Sequence, residues 1–315
     1  MVKKIALEEH FLDPATEAYW RPTMVDVAPA KTAQLYASLT DFSGQRLQMM
    51  DKTGIARAVL AIAGPGVQAE RDAAVAVRAA RASNDFLAKE VQKRPDRYSG
   101  FAHLAMQDAK AAADELDRCV RDLKFCGAMI NGHTNGQYLD DRALDPFWER
   151  VAALDTVVYL HPADPVAPLP AIDGYNVLAR PMWGWGVETG SHALRIICGG
   201  VFHRYPKAKL VLGHLGETLP FLVWRIDTTL KRPGGKAANF RDIFCNNFYV
   251  TTSGNFSNPA LLCCVMEMGI DRILFAVDWP FVPNPPGTKW MESVPLCDED
   301  KAKILSGNAK RLLKM

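Results

Sequence analysis

The residues best suited to chemistry stand at the end of a short apolar segment near the N-terminus. Residues 3–10 run Lys-Lys-Ile-Ala-Leu-Glu-Glu-His, which predicts a strand that ends in two carboxylates and an imidazole. Because side chains alternate along a strand, Glu8 and His10 are expected to point to one side and Glu9 to the other. A carboxylate beside an imidazole is a pair that can bind a metal ion, although Glu-x-His also occurs by chance at exposed strand ends.

Other predicted strands end in the same types of side chain. His161, His214 and Asp278 follow short apolar segments, directly or after one glycine. With Glu8 and His10, they place carboxylates and imidazoles at four strand ends, which favours a metal site over chance. Mixed nitrogen and oxygen ligands suit Zn²⁺, Mn²⁺ or another divalent first-row ion better than a thiolate site does.

The remaining histidines do not fall at these strand ends. His103, His192 and His203 are predicted to be structural or exposed, the last two because they lie in a helical segment. His133 follows the fourth predicted strand closely and stays a minor candidate for the site.

The elements that must position these side chains alternate between strand and helix. Strands are predicted over 3–10, 56–62, 98–106, 127–131, 156–160, 209–212, 248–252 and 272–277, and helices over 43–52, 68–93, 109–123, 144–154, 187–204, 219–230, 260–268 and 298–313. This alternation predicts an α/β protein, a single (β/α)₈ TIM-type barrel over residues 1–315, with a loop insertion after strand one up to about residue 39. A doubly wound sheet is disfavoured because no Gly-rich phosphate turn follows the first strand.

In a barrel, the C-terminal ends of all strands lie at the same end of the fold. The C-terminal ends of its strands form one mouth, and barrel enzymes keep their chemistry there. The predicted metal ligands therefore converge on one site.

Composition excludes several classes of partner. The 315 residues carry a formal net charge of +2, which gives no reason to expect nucleic acid or an anionic membrane as partner. No apolar run is long enough to span a bilayer. The seven cysteines contain no C-x-x-C pair, which argues against a disulfide framework and indicates a reducing cytoplasm. Four of them are predicted to be small buried residues: Cys126, Cys198, Cys263 and Cys264.

Distinctive motifs occur in order over essentially the whole chain, at residues 8–10, 159–162, 188–195, 212–217, 224–227 and 277–281. They resemble those of the amidohydrolase superfamily, and specifically those of its non-oxidative decarboxylases of γ-resorcylate and 2,3-dihydroxybenzoate. The resemblance implies that Glu8, His10, His161 and Asp278 hold one divalent ion per subunit, Mn²⁺ or Zn²⁺. It also implies that His214 and Glu217 manage protons nearby.

Three departures bear on this resemblance. Many hydrolases of the superfamily begin with His-x-His, whereas this chain has Glu8-x-His10, as the aromatic-acid decarboxylases do. Binuclear hydrolases usually carry a bridging lysine on strand four, but residues 130–132 are Ile-Asn-Gly. Val282 stands where members of the decarboxylase branch often have Glu, which weakens any transfer of ring-substituent specificity but leaves the metal ligands untouched.

The residue types also fit decarboxylation of an ortho-hydroxybenzoate. Loss of CO₂ leaves an aryl carbanion unless the ring carbon is protonated first, and Asp278 is the expected acid. A nearby cation favours the charged carboxylate, so this role depends on His214 or Glu217 and on a water-poor pocket. Asn131 is a candidate donor to a ring hydroxyl and equally a turn residue.

Two further residues are expected near the substrate. Phe281 belongs to the last motif and is expected to contact the ring. Arg225 lies mid-helix, where a solvated salt bridge is the default, but the resemblance places it at a subunit contact near the substrate. The helical segment 219–225 is apolar on all sides, so we expect a homo-oligomer, a dimer or a tetramer.

Two alternatives stay open. A metal-dependent hydrolase of a lactone or cyclic amide would use a metal-bound hydroxide with Asp278 as base. A barrel kept as a binding or scaffold protein would leave the clustered ligands without a purpose.

Overall fold

The computed structural model describes residues 3–230 and 239–315, and eight parallel strands organise it. The strands are β1 (Lys4–Phe11), β2 (Ile55–Ile62), β3 (Tyr98–Gly100), β4 (Gly127–Asn131), β5 (Val157–His161), β6 (Lys209–Leu212), β7 (Phe248–Thr251) and β8 (Ile273–Leu274). Each predicted strand is present. Two of them, β4 and β6, have the predicted bounds.

Helices follow the strands around the outside. They are α1 (Glu17–Trp20), α2 (Pro29–Leu39), α3 (Gln45–Thr53), α4 (Ala73–Lys93), α5 (Ala109–Arg121), α6 (Asp145–Leu154), α7 (Gly184–Cys198), α8 (Val201–Arg204), α9 (Leu219–Leu230), α10 (Phe240–Asn247), α11 (Asn258–Met268), α12 (Asn284–Ser293), α13 (Asp298–Ala302) and α14 (Asn308–Leu313). Among the described residues, no helix is long and apolar enough to cross a membrane.

The strands pair in chain order, as in a (β/α)₈ barrel. One group runs β1-β2-β3 and the other runs β4-β5-β6-β7-β8. Backbone hydrogen bonds join the groups at both seams. At one seam the amides of Ala102 and Met129 donate to the carbonyls of Gly127 and Ala102, at 2.8 and 3.1 Å. At the other, the amides of Leu7 and Asp278 donate to the carbonyls of Phe275 and Glu8, at 3.2 and 3.0 Å.

The core has two layers, as this architecture requires. The inner layer fills the barrel with alternate strand residues such as Leu7, Val59, Met129 and Val211. The outer layer lies between strands and helices. Leu313 of α14 belongs to the inner cluster, so the last helix closes the base of the barrel beneath the strands.

One extra residue in β1 sets the direction of its side chains. Ala6 pairs with Ala58 of β2, but Glu9 pairs with Leu60, so three steps in β1 match two in β2. Such a bulge lets two consecutive side chains face the same way. Leu7 therefore packs inside the barrel, and Glu8 beside it also faces inward. Alternation then resumes, and Glu9 points outward as the sequence predicts.

The insertion after β1 is present but is largely helical, which corrects the predicted loop. It contains α1, a 3₁₀ turn at Arg21–Met24, and α2. The prolines that suggested irregular structure instead stand in first turns, where the missing N–H costs nothing. Pro22 lies at the start of the 3₁₀ turn and Pro29 begins α2.

Strand β3 is much shorter than predicted, because a side chain takes over its hydrogen bonds. Asn84 of α4 accepts from the amide of His103 and donates to its carbonyl, both at 2.8 Å. The ladder therefore stops near Ala102 although the following residues are buried.

Several other element boundaries differ from the prediction. The segment 187–204 is two helices because Gly200 adopts φ = 75° between them. Helix α4 begins at Ala73, capped by Asp72, whose side chain accepts from the amide of Val75. The C-terminal helix is interrupted by a π-helical turn at Lys303–Gly307.

Other expectations were wrong or incomplete. Helices α10 and α12 were not predicted. Cys198 is exposed rather than buried, Cys126 and Cys263 are partly buried, and Cys264 alone of the four is fully buried.

Candidate active site

Four side chains from three parts of the barrel meet at its C-terminal mouth. One ligand atom from each of Glu8, His10, His161 and Asp278 lies within 4.8 Å of the others. Glu8 and His10 come from β1, His161 ends β5, and Asp278 follows β8. His10 Nε2 lies 3.2 Å from Asp278 Oδ1, and His161 Nε2 lies 3.5 Å from Glu8 Oε1.

The hydrogen bonds of these residues leave ligand atoms available. His161 Nδ1 lies 2.8 Å from the carbonyl oxygen of Pro162, which can only accept, so Nδ1 carries the proton and Nε2 keeps its lone pair. Glu8 Oε1 is buried and accepts no hydrogen bond within the described part of the chain. A buried carboxylate oxygen without a partner is costly unless a cation binds it. This donor set fits a divalent metal ion.

Electrostatics keep these ligands in the forms that bind a cation. Burial alone would raise the pKa of Glu8, but His214, His161 and His10 together lower it, so the carboxylate is ionised. Burial, assisted by His10, lowers the pKa of His161 to about 3, so its imidazole is neutral. Metal ligation requires both forms.

His214 carries the charge of the site beside the four ligands. Its Nδ1 lies 2.5 Å from Glu217 Oε1, and its Nε2 lies 3.8 Å from Glu8 Oε1. Burial would lower the pKa of His214, but the carboxylates of Glu217 and Glu8 outweigh it and raise that pKa to about 10. His214 is therefore protonated at neutral pH.

Asp278 is held in an uncommon backbone conformation. Its φ is 80°, and His214 and Glu217 have φ = 52°. Positive φ is unfavourable for residues other than glycine, and such residues concentrate at functional sites. Burial raises the pKa of Asp278, with a smaller opposing effect from His10. A bound cation would act in the opposite direction.

A row of three hydroxyl groups, which sequence reasoning missed, lies directly beneath Glu8. Tyr159 Oη donates a hydrogen bond to Glu8 Oε2. Thr251 Oγ1 lies 2.8 Å from Tyr159 Oη and 3.0 Å from Ser253 Oγ, and Ser253 Oγ accepts from the amide of His214 at 3.1 Å. We call Tyr159, Thr251 and Ser253 the hydroxyl chain. The alternation rule could have found it, since Tyr159 precedes His161 by two residues and therefore faces the same side.

A cavity of about 1270 Å³ opens above the ligands. His161, His214, Glu217 and Asp278 line it, and Asn131 and Phe281 stand on its walls. Asn131 is buried; its Nδ2 donates to the carbonyl of Pro65 at 3.4 Å, and its Oδ1 has no partner among the described residues. The Phe281 ring meets the His10 ring edge-on, with 5.5 Å between centroids. The cavity can therefore hold an aromatic ring next to the metal ligands.

Arg225 does not join the site within one chain. It is exposed on α9 and does not line the cavity. Its expected place at a subunit contact stays a prediction.

The other histidines lie outside the ligand cluster. His103 and His192 are buried and accept hydrogen bonds from the amides of Val67 and Leu139, at 2.9 and 2.8 Å. Burial lowers the pKa of both to about 3, so they are neutral structural groups. His133 lines the outer cavity, with Nε2 3.0 Å from the carbonyl of Asp164, and His203 is exposed.

Comparison with known proteins gives one consistent result. The model of the amidohydrolase family matches residues 40–315. A γ-resorcylate decarboxylase from Polaromonas sp. is 43% identical, over 99% of this chain and 98% of that protein. The structure of a 2,6-dihydroxybenzoate decarboxylase complexed with 2,6-dihydroxybenzoate superposes with a TM-score of 0.93 at 40% identity, covering all of both chains. A dihydroxybenzoic acid decarboxylase from Polaromonas sp., solved with manganese and 2-nitroresorcinol, superposes with a TM-score of 0.92 at 42% identity, over 100% of this chain and 97% of that one.

Proposed function

Since this chain belongs to the amidohydrolase family, we propose that it is a metal-dependent carboxy-lyase. Its substrate is an ortho-hydroxybenzoate of the 2,6- or 2,3-dihydroxybenzoate class, which it converts to the phenol and CO₂, reversibly in principle. The observation that carries the proposal is the convergence of Glu8, His10, His161 and Asp278 beneath a cavity that fits an aromatic ring. The relatives named for this activity are similar over the whole chain.

The four converging side chains are the proposed metal ligands. They hold one divalent ion per subunit, and manganese is supported by the ion in the Polaromonas structure. When bound, the ion supplies a positive charge that orients the carboxylate and an ortho oxygen of the substrate and stabilises negative charge. The four residues suit a divalent first-row ion, because each offers an imidazole nitrogen or a carboxylate oxygen as ligand atom.

We assign delivery of the proton to Asp278. The proton passes from its carboxyl group to the ring carbon that bears the carboxylate, the bond from that carbon to the carboxylate then breaks, and CO₂ leaves as aromaticity returns. Burial favours the protonated acid. His214, paired with Glu217, holds a positive charge beside it and tunes the transfer.

Three residues are proposed to position the ring. Asn131 presents a buried amide to a ring hydroxyl, and its unpartnered Oδ1 can accept from that group. Phe281 packs on the ring from the cavity wall. Arg225 is proposed to reach the substrate from a neighbouring subunit of a homodimer or homotetramer.

A panel of hydroxybenzoates tests the reaction. Purified protein loaded with Mn²⁺ should release CO₂ from 2-hydroxylated benzoates and not from 4-hydroxybenzoate, because chelation needs oxygens on adjacent ring carbons. In D₂O the phenol should carry deuterium at the former carboxyl carbon. Hydrolysis of a lactone or cyclic amide without CO₂ release would instead support the hydrolase alternative, and equal turnover of 4-hydroxybenzoate would contradict chelation.

Metal content tests the site separately. Elemental analysis should find one divalent ion per chain, and removal by chelation should abolish CO₂ release until Mn²⁺ is restored. Glu8→Ala and His161→Ala should lose both metal and activity while remaining folded, because neither side chain belongs to the hydrophobic clusters of the core. Active protein without stoichiometric metal would contradict the assignment.

A further inference from the structure

Two of the four proposed metal ligands are carboxylates, and in one of them, Glu8, an oxygen accepts hydrogen bonds from neighbouring side chains. Tyr159 and Thr251 contact Oε2, whereas Oε1 faces His161 and His214 without a hydrogen bond. The two oxygens therefore stand in different surroundings. A free carboxylate can rotate and bind a metal through either oxygen or both, but this one cannot do so without breaking the hydrogen bond from Tyr159.

The direction of hydrogen bonding along the hydroxyl chain follows from its two ends. The His214 amide can only donate, so Ser253 Oγ accepts from it. The ionised Glu8 carboxylate can only accept, so the single hydroxyl proton of Tyr159 is donated to Glu8 Oε2. Thr251 and Ser253 complete the row. Thr251 Oγ1 lies 2.8 Å from Tyr159 Oη, and Ser253 Oγ lies 3.0 Å from Thr251 Oγ1. Each hydroxyl then donates in one direction, which strengthens the bond at the end of the row.

The space for this row is created by a missing side chain. Gly213 lies beside it on the loop after β6, where a Cβ would come 2.9 Å from Glu8 Oε2 and 3.1 Å from Ser253 Oγ. The row itself is sealed, since Tyr159, Thr251 and Ser253 are all buried. A buried, satisfied polar row has few alternative arrangements, so it holds its terminal acceptor rigidly.

We propose that Tyr159, Thr251 and Ser253 are positioning residues that fix Glu8 so that only Oε1 is presented to the metal ion. The row also ties Glu8 to the backbone of His214, which sets the distance between the ligand and the charged imidazole. This inference rests on the proposed metal site, and it adds the residues that determine how tightly that site binds.

Metal affinity is the decisive readout, measured on metal-free protein by Mn²⁺ titration with electron paramagnetic resonance. Tyr159→Phe keeps the ring and removes the donor to Glu8, so the Kd for Mn²⁺ should rise roughly 10–100-fold, the usual effect of losing an outer partner of a metal ligand. Tyr249→Phe is the matched control, because Tyr249 packs in the same inner core and lies outside the hydroxyl chain. Its Kd should equal that of the unaltered protein.

A second pair of variants separates hydrogen bonding from packing. Thr251→Val preserves shape and removes the hydroxyl, whereas Thr251→Ser keeps the hydroxyl and removes the methyl. Only the first should weaken Mn²⁺ binding. The double variant Tyr159→Phe, Thr251→Val should bind Mn²⁺ at least as weakly as Tyr159→Phe alone, because Thr251 Oγ1, 3.4 Å from Glu8 Oε2, is the donor that remains in the single variant. Thermal unfolding of each metal-free variant checks that the fold is intact.

The outcomes distinguish this inference from the proposed function. If the unaltered protein binds no Mn²⁺, the metal site itself is contradicted. If it binds Mn²⁺ and Tyr159→Phe binds it equally well, only the positioning role is overturned. Equal weakening by Tyr249→Phe, or by Thr251→Ser and Thr251→Val alike, would also overturn it, because a general packing defect would then explain the loss.

Discussion

At the scale of single residues, Asp278 has to satisfy two opposing demands. As a metal ligand it is needed as a carboxylate, and as the acid it is needed with a proton. Burial favours the proton, while a nearby cation favours its loss. The positive charge on His214 acts like the cation and lowers the pKa of Asp278, so removing that charge should favour the protonated acid.

The variant Asp278→Asn tests the acid directly. We expect turnover to fall roughly 10²–10⁴-fold, the usual contribution of a positioned proton donor, in protein that still contains Mn²⁺. His214→Asn should cause a milder loss if His214 only tunes Asp278, and an equally severe loss if His214 delivers the proton. His203→Asn, at an exposed position, is the control and should leave kcat unchanged.

The pH profile should report the pair of His214 and Glu217. Glu217 helps to raise the pKa of His214 to about 10, so removing its charge lowers that pKa and His214 loses its proton at lower pH. If protonated His214 is needed, the alkaline limb of kcat against pH should move to lower pH in Glu217→Gln. Glu299→Gln, at an exposed position, should leave the profile in place. An unmoved limb in Glu217→Gln would show that the charge on His214 does not limit turnover.

Residue-level features were predictable where they follow strand ends. Glu8, His10, His161 and Asp278 were found as candidates because each stands at the end of an apolar run, and the structure brings them together. Their roles remain proposals. The hydroxyl chain was missed because Tyr159 sits inside such a run, where it resembles an ordinary core residue.

At the scale of elements, α14 contributes to the stability of the barrel although it has only six residues. Its leucines close the base of the barrel, at the opposite end from the proposed metal site. The neighbouring π-helical turn connects to the barrel through the Phe275 amide, which donates to the carbonyl of Ile304 at 3.1 Å. The C-terminal segment therefore stabilises the strands without contacting the ligands.

The variant Leu313→Ala should lower the free energy of unfolding by about 2–5 kcal/mol, because it opens a cavity in the inner core. Urea unfolding of metal-free protein measures this change. Lys310→Ala, on the exposed side of the same helix, should alter stability by no more than about 0.5 kcal/mol. Equal stability of both variants would show that the base of the barrel tolerates the cavity.

Elements were predictable where local pattern determined them. Periodicity gave β4, β6 and α9 their bounds, but it could not show that Asn84 would cap the backbone of His103 and end β3. That contact joins residues far apart in sequence, so no local window contains it. The helices in the insertion were missed because its prolines were taken as a sign of irregular structure, whereas Pro22 and Pro29 stand in first turns.

At the scale of the whole molecule, α9 leaves large apolar side chains in solvent. Leu219 and Val223 pack against the core, while Phe221 and Trp224 are 81% and 70% exposed. Exposed apolar groups of this size usually mark a contact surface. They lie beside Arg225, which agrees with the proposed subunit contact.

The variant Trp224→Glu should shift the protein toward monomers, because it places a charge in an apolar contact. Light scattering after size exclusion measures the mass, and decarboxylase activity should fall with it if Arg225 serves a neighbouring site. Met266→Glu is the matched control, since Met266 is 83% exposed on α11. A fully active monomer of the unaltered chain would contradict the proposed assembly.

The barrel was predictable because eight alternations of strand and helix leave few arrangements. Assembly stays a prediction drawn from a helix apolar on all sides, since the partner surface is not a local property of the sequence. The single domain over residues 1–315 and the cytoplasmic location stay predictions.

The extra residue in β1 has a practical consequence for protein engineering. Leu7 completes the interior and Glu8 begins the metal site, and both face inward only because β1 has one residue more than β2 between the pairs Ala6–Ala58 and Glu9–Leu60. Transplanting this segment into another barrel as a regular strand would turn either the leucine or the Glu8–His10 pair to the outside. A graft of the site must therefore copy the backbone irregularity together with the motif.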